Sequence, residues 1–399
     1  MSRLIRGANR AFPWLWEKGL APPPALTADT LIADAVKSAG TDEFGDSDMV
    51  VRLERLCEAI NSEAGLTPLG RVMSYGGLRR TLIQRLMCEA MLTADPDITE
   101  RPVSPPIIIV GPMRSGTTRL QRLLACDTRF VSTRVFEALS PVPGRRSARI
   151  AETRALQFAL DGLNPAVRRI HPGQPLDTEE ELPILELALS GAQIESQRPI
   201  PSWARWMEQT PQRHAYHWLK RWMQLTGARR GDDPARPWVM KTPQYMQDLP
   251  ALLGTFPNAR LIFIHRDPRA VTASAASLAW NFMLMQSETV TPDWCGREWL
   301  HKTAFRIDAT RAFRAAHPEV PAVDVRFRDM NADWEAEVAR IYDWLDLPEV
   351  PFDAMRNYSR RAARRHLTVP HRYSLKDFGL SSAQVDERLG TYAADFDLL

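Results

Sequence analysis

IIIVGPMRSGTTRLQRLL, residues 107–124, decides how the rest of the chain is read. Four β-branched residues, Ile107 to Val110, form the short apolar run that a strand buried on both faces requires. Gly111 follows, then a turn closed by Gly116, then a helical pattern opening at Thr117. Strand, glycine turn and helix start together make a phosphate-binding loop, because backbone N–H groups at a helix N-terminus attract an anion whatever side chains surround them. The glycines keep the spacing of G-x-x-x-x-G-K-[ST], yet Thr117 stands where the lysine belongs and Arg114 lies inside the loop. A triphosphate-cleaving enzyme uses that lysine on the β- and γ-phosphates and a strand-end carboxylate on Mg²⁺. Without the lysine the loop points to another anion, with the forked guanidinium of Arg114 beside it.

A second segment agrees. In LIFIHRDPRAVTASAASL, residues 261–278, an apolar strand runs into Arg266, a cation where an ATPase would present its carboxylate. Asp267 suits a helix N-cap and Pro268 the first helical position. Ser274 then lies about two turns along, roughly 9 Å from the helix start. A long arginine at the strand end and a hydroxyl on the following helix suit a shared grip on one phosphate.

Apolar β-rich runs at 107–110, 130–136, 238–240, 261–265 and 323–327 alternate with helical segments. That pattern predicts an α/β fold, a P-loop NTPase-like parallel sheet flanked by helices. Residues 1–100 read as a helical region packed on the core, with helical periodicity at 49–60 and 78–92. Residues 101–399 read as the main domain, with a helical insertion at about 150–235 rich in Trp, Arg and His. The tail from Pro348 is basic. At 399 residues, 44% hydrophobic and 25% charged, this is an ordinary globular composition. A net charge of +3 is too small to call for a nucleic-acid partner. Cys57, Cys88, Cys126 and Cys295 are far apart, which argues against a zinc site or disulfide scaffold and for a reducing compartment. No signal-like N-terminus and no apolar run of about 18 residues occurs, so a cytoplasmic protein is expected, peripheral membrane contact being open.

The two segments together resemble the sulfotransferase superfamily: RSGTT is similar to its 5′-phosphosulfate loop and RDPRAVTAS to its 3′-phosphate motif. WVMKTPQYMQDLPALLGTFPNARLIFIHRDPR and HRYSLKDFGL extend the likeness to bacterial sulfotransferases related to the mycobacterial lipid enzymes. The resemblance implies 3′-phosphoadenosine 5′-phosphosulfate as donor, no metal, and a hydroxyl on a small lipophilic acceptor. It implies that Ser115, Gly116, Thr117 and Thr118 bind the 5′-phosphate, Arg114 the sulfuryl group, and Arg266 with Ser274 the 3′-phosphate. Lys241 of W-V-M-K-T-P would stabilise charge on the leaving side, and Arg372 of HRYS would close over the donor.

The proton acceptor is open. Some of these enzymes use the histidine of a K-T-H motif, but Pro243 replaces it here. Glu137, ending FVSTRVFE, and Glu180, in the Glu179–Glu181 run, stand level as candidates, with His171 behind them. The bland reading of that acidic run is exposed charge at a helix N-terminus. Trp203, Trp206, Trp218 and Trp222 sit at three- and four-residue spacings that suit helix packing or an aromatic acceptor pocket. Arg364, Arg365, His366 and His371 either close over the donor's phosphates or face water. Two other functions compete: a P-loop kinase or ATPase, against which Thr117 and Arg266 argue, and a non-catalytic nucleotide-binding or membrane-surface protein, against which Lys241 and the acidic candidates argue.

Overall fold

The computed structural model describes residues 2–170, 173–365 and 373–399. Its centre is a four-stranded, all-parallel sheet of β1 (Ile107–Val110), β2 (Val239–Lys241), β3 (Arg260–His265) and β4 (Ala322–Arg326), in the order β2-β1-β3-β4. The first two neighbours of β1 lie on opposite sides of it, so the chain reverses direction across the sheet beside β1. That switch point opens a crevice at the carboxyl ends of the strands. Val110 pairs with Phe263 and Ile109 with Lys241, which brings the loop after β1, the end of β2 and the start of the segment after β3 to one rim.

Period-two alternation divides the β-branched residues of β1 between two cores. Ile107 and Ile109 pack with Leu120, Leu123 and Leu124 of the Thr117–Leu124 helix and with Val338, Ile341 and Met355 of the two helices Trp334–Trp344 and Phe352–Arg365. Ile108 and Val110 pack on the other face, against Trp222 of Arg213–Arg230, Ile307 of Pro292–Ala316 and Leu389 of Ser382–Asp395. Helices on both faces explain why all four β1 residues are buried. The architecture is the expected α/β one, a P-loop NTPase-like parallel sheet flanked by helices.

The expected strand at 130–136 does not form. Val131 makes a single parallel bridge to Trp238, its N–H donating to Pro237 O and its carbonyl accepting from Val239 N. The chain then leaves the sheet edge and pairs with 175–179: Val135 N donates to Asp177 O, and Glu179 N to Thr133 O. From Val135 it is helical, Val135–Leu139, because Glu137 caps the backbone N–H of Arg134. A β-branched run fits an edge segment and a helix start equally well, and the cap decides.

Four long helices, Arg3–Glu17, Ala28–Ala39, Met49–Glu63 and Pro68–Ala94, and a single short turn, Asp97–Glu100, precede the sheet. Thr27 and Thr67 are side-chain N-caps, and Pro68 occupies the first turn of the fourth helix. The last three long helices share one cluster with Leu189, Ile194, Ile200, Trp203 and Met207 from the segment between β1 and β2, while Ile5 of the first packs with Leu69, Val167 and Met285. Trp218 and Trp222 are buried, each donating its indole N–H to a carbonyl, Ile184 O and Pro141 O at 3.1 Å. Three of the four tryptophans are therefore core residues, and Trp206 meets Trp203 in a tilted ring contact at 5.0 Å. No helix among the described residues is long and apolar enough to cross a membrane.

Candidate active site

Two glycines shape the loop at the end of β1. A Cβ on Gly111 would lie 2.8 Å from Ile264 O, so the chain can pass the end of β3 only without one. Gly116 has φ +92°, and a Cβ there would lie 2.7 Å from the Phe327 ring. Between them Ser115 ties the turn, its N–H and hydroxyl both donating to Pro112 O at 3.2 and 2.8 Å. Ser115 is thus spent on the loop itself. The Thr117–Leu124 helix has no side-chain cap, and among the described residues the N–H groups of Gly116, Thr117 and Thr118 find no acceptor. Those amides, aimed along the helix axis from its positive end, form an anion cradle.

Two arginines stand over that cradle. Arg114, at φ +70°, sits in the left-handed region uncommon for a residue with a side chain. Its Nε donates to Ser274 Oγ at 3.1 Å and its Nη1 to Ile170 O at 3.0 Å. Arg266 donates from Nη1 to Arg114 O at 2.6 Å, and its guanidinium lies 4.0 Å over the Phe327 ring. Asp267 caps the following helix at Arg269 N and Pro268 opens it, which sets buried Ser274 at the loop. Neither guanidinium touches a carboxylate among the described residues. Burial lowers the pKa of both, Tyr373 pulls each back up, and Arg266 further disfavours the charge on Arg114. Arginine keeps its charge regardless, so two partly buried cations are held side by side without a contacting counter-ion. Such charges are costly unless an anion neutralises them.

The opposite wall is acidic. Lys241, the last residue of β2, is 2% exposed, and its Nζ donates to Glu180 Oε2 at 2.6 Å. Glu180 is the one acid of its run that reaches open space, with Glu179 and Glu181 buried. Its Oε1 has no hydrogen-bond partner among the described residues. Glu181 accepts three hydrogen bonds, from Lys241 N at 2.9 Å, Tyr245 Oη at 3.0 Å and Thr133 Oγ1 at 3.1 Å. It pins the end of β2 from beneath, and the run is not the exposed helix-end charge of the bland reading.

Burial pushes the Glu181 carboxyl up to about 8, with the Lys241 amide, Tyr245, the Lys241 charge and Thr133 pulling down against it. The native state therefore holds this proton across a range where the unfolded chain, with its ordinary value of 4.5, has lost it. The contribution to stability is full below that ordinary value and is lost as pH rises through about 8. The expected slope is up to about 1.4 kcal/mol per pH unit. Melting temperatures measured across this window should fall more steeply in the wild type than in Glu181→Gln. Parallel curves would remove Glu181 as the cause.

Glu137 stands elsewhere. Its Oε1 accepts from Arg230 Nε at 2.8 Å, while Oε2 accepts from Arg230 Nη2 and, at 2.9 Å, from Arg134 N. Both oxygens are occupied in a buried pair, with no contact to Lys241 or Arg114. The structure thus brings Arg114, Arg266, Ser274, Gly116, Thr117 and Thr118 to one rim with Lys241 and Glu180, and leaves Glu137 apart. Arg372, His171, His366 and His371 lie outside the described residues. Sequence reasoning missed Glu181, Tyr245, Phe327 and Tyr373. The last lies inside the quoted HRYSLKDFGL, and Phe327 is the last residue of the expected strand 323–327, so position alone was the available signal.

Residues 105–351 match the sulfotransferase family. Sulfotransferase STF1 from Mycobacterium tuberculosis H37Rv is similar in structure, with 28% identity and a TM-score of 0.77, over 93% of this chain and 100% of that one. Sulfotransferase STF9 from Mycobacterium avium shares the fold, with a TM-score of 0.79 at 23% identity, over 94% of this chain and 98% of that one. A comparison with curated proteins finds no match.

Proposed function

We propose that this chain, which belongs to the sulfotransferase family, transfers a sulfuryl group from 3′-phosphoadenosine 5′-phosphosulfate to a hydroxyl of a small, lipophilic acceptor. The observation that carries the donor is the pair of guanidiniums, Arg114 and Arg266, held beside three amides that among the described residues find no acceptor, with no contacting carboxylate among those residues. A donor with two separate anionic ends would neutralise both cations, and the residues present fit it. The donor supplies the activated sulfuryl group. The chain supplies orientation and charge.

In this reading the amides of Gly116, Thr117 and Thr118 hold the 5′-phosphate, and Arg266 with Ser274 holds the 3′-phosphate. Ser274 can donate its O–H to that phosphate while still accepting from Arg114 Nε. Arg114 Nη2, which makes no hydrogen bond among the described residues, is left for the sulfuryl oxygens. The acceptor's oxygen bonds to sulfur as the bond between sulfur and the 5′-phosphate oxygen breaks, and its proton passes to Glu180 Oε1. Lys241 then faces both the proton acceptor and the charge left on the departing phosphate. A reducing, cytoplasmic setting fits four cysteines that are all free, three of them buried.

Calorimetry with adenosine 3′,5′-bisphosphate and with AMP tests the donor. A charge-assisted contact is worth about 1.5–3 kcal/mol, so the bisphosphate should bind roughly tenfold to a hundredfold more tightly. Arg266→Ala should erase that preference while leaving AMP binding nearly unchanged. Equal affinities in the wild type would remove the basis for the donor.

A further inference from the structure

A cavity of about 650 Å³ opens between the C-terminal end of the Thr117–Leu124 helix, residues 176–178 and the Phe352–Arg365 helix. Arg122, Arg134, Arg360, Arg361 and Arg364 line it, against a single carboxylate, Asp177. Arg122 Nε donates to Thr178 O at 3.1 Å and Arg134 Nη1 to Leu176 O at 3.3 Å, so one wall is fixed by side chains braced on backbone. The other wall presents Arg360, Arg361 and Arg364, all exposed, from the last turns of one helix. Among the described residues Arg361 and Arg364 have no acidic partner.

A helix dipole favours cations at a C-terminus, but it does not explain Arg122 and Arg134 on the facing wall. Like charges three and four residues apart destabilise a helix in isolation, so the gathering needs a compensating anion. The cavity's size is that of a small-molecule site. Its position is the second clue. The braced segment 176–178 continues directly into Glu180, two residues beyond Thr178 and, along an extended chain, about 7 Å away.

Resting on the reading of Glu180 and Lys241 as the reacting centre, we infer that this cavity docks a phosphate group carried by the acceptor and so points the acceptor's hydroxyl at Glu180. Several guanidinium forks converging on one space match the bidentate geometry and double charge of a phosphate better than a lone carboxylate. The acceptor is then an amphiphile, with an anionic group in the arginine cavity and its hydroxyl at the rim.

The test uses the full chain with its donor site filled by saturating adenosine 3′,5′-bisphosphate, titrated with inorganic pyrophosphate by calorimetry. The wild type should bind it, and R360E/R361E should bind at least about tenfold more weakly, with bisphosphate affinity the same in both. Should the charge reversal lower the melting temperature, R360Q/R361Q carries the same comparison. No pyrophosphate binding by the wild type, or equal binding by wild type and variant, overturns the inference. Failure of bisphosphate binding would instead overturn the donor reading, and the two failures are told apart in one experiment. Co-sedimentation identifies the phosphate's carrier: arginine-dependent capture on phosphatidylglycerol but not phosphatidylcholine vesicles marks a lipid headgroup, and pyrophosphate binding without capture marks a soluble ester.

Discussion

Glu180→Gln is expected to lose about 10²–10⁴ in turnover, the usual worth of a general base, while binding adenosine 3′,5′-bisphosphate as the wild type does. The glutamine keeps the size and hydrogen bonding of the side chain but cannot take a proton. Glu180 Oε1 has no hydrogen-bond partner among the described residues, its Oε2 is fixed on Lys241, and it stands beside the end of β2. Glu137→Gln is the matched control. It breaks a buried pair to Arg230 and weakens the cap on Arg134 N, so it should lower the melting temperature and leave the turnover of the folded enzyme nearly intact. A phenol of low pKa should partly restore Glu180→Gln, because its proton leaves without help. Near-normal turnover of Glu180→Gln on an alcohol acceptor would overturn the assignment, and a large loss in Glu137→Gln instead would transfer it.

What the sequence made legible follows from how local each signal is. Ile107 to Val110 announced a doubly buried strand because four β-branched residues in a row suit little else, and Gly111 and Gly116 announced the turn because neither position has room for a Cβ. Asp267 and Pro268 marked a helix start whose cap lies two residues away. The choice between Glu137 and Glu180 had no such signal. Arg230 reaches Glu137 across 93 residues and Lys241 reaches Glu180 across 61. Only the folded sheet decides which acid receives a structural arginine and which receives the strand-end lysine. The run at 130–136 misled for the same reason: its β-branched residues carry strand propensity, but its partners are Pro237, Asp177 and Thr133's neighbour Glu179, all supplied by tertiary structure. The tryptophans were equally ambiguous, since amphipathic spacing reports a buried face without saying whether protein or ligand covers it.

Lys241→Met separates charge from packing at the same centre. The methionine fills a similar volume in a strand where the lysine is 2% exposed, but removing one member of a buried ion pair leaves the other charge uncompensated and costs about 3–5 kcal/mol when that charge stays buried. Glu180, left without its partner, keeps 16% of its side chain exposed and can turn to water. The melting temperature should therefore fall, but by less than for a pair with both members fully buried, and the enzyme should remain folded. Turnover should nevertheless fall about 10²–10³, the loss that follows removal of one donor to developing transition-state charge. If Lys241 and Glu180 act as one unit, as their 2.6 Å contact implies, the double variant should be scarcely slower than the worse single. Losses that multiply would make the two residues independent, with Lys241 serving the leaving phosphate alone. A variant that no longer folds, or no longer binds adenosine 3′,5′-bisphosphate, would return Lys241 to a structural role, since packing would then account for the loss. The informative result is a folded, donor-binding, inactive enzyme: it places the need for Lys241 in the transfer step, because the fold and the ground-state complex have both survived without its charge.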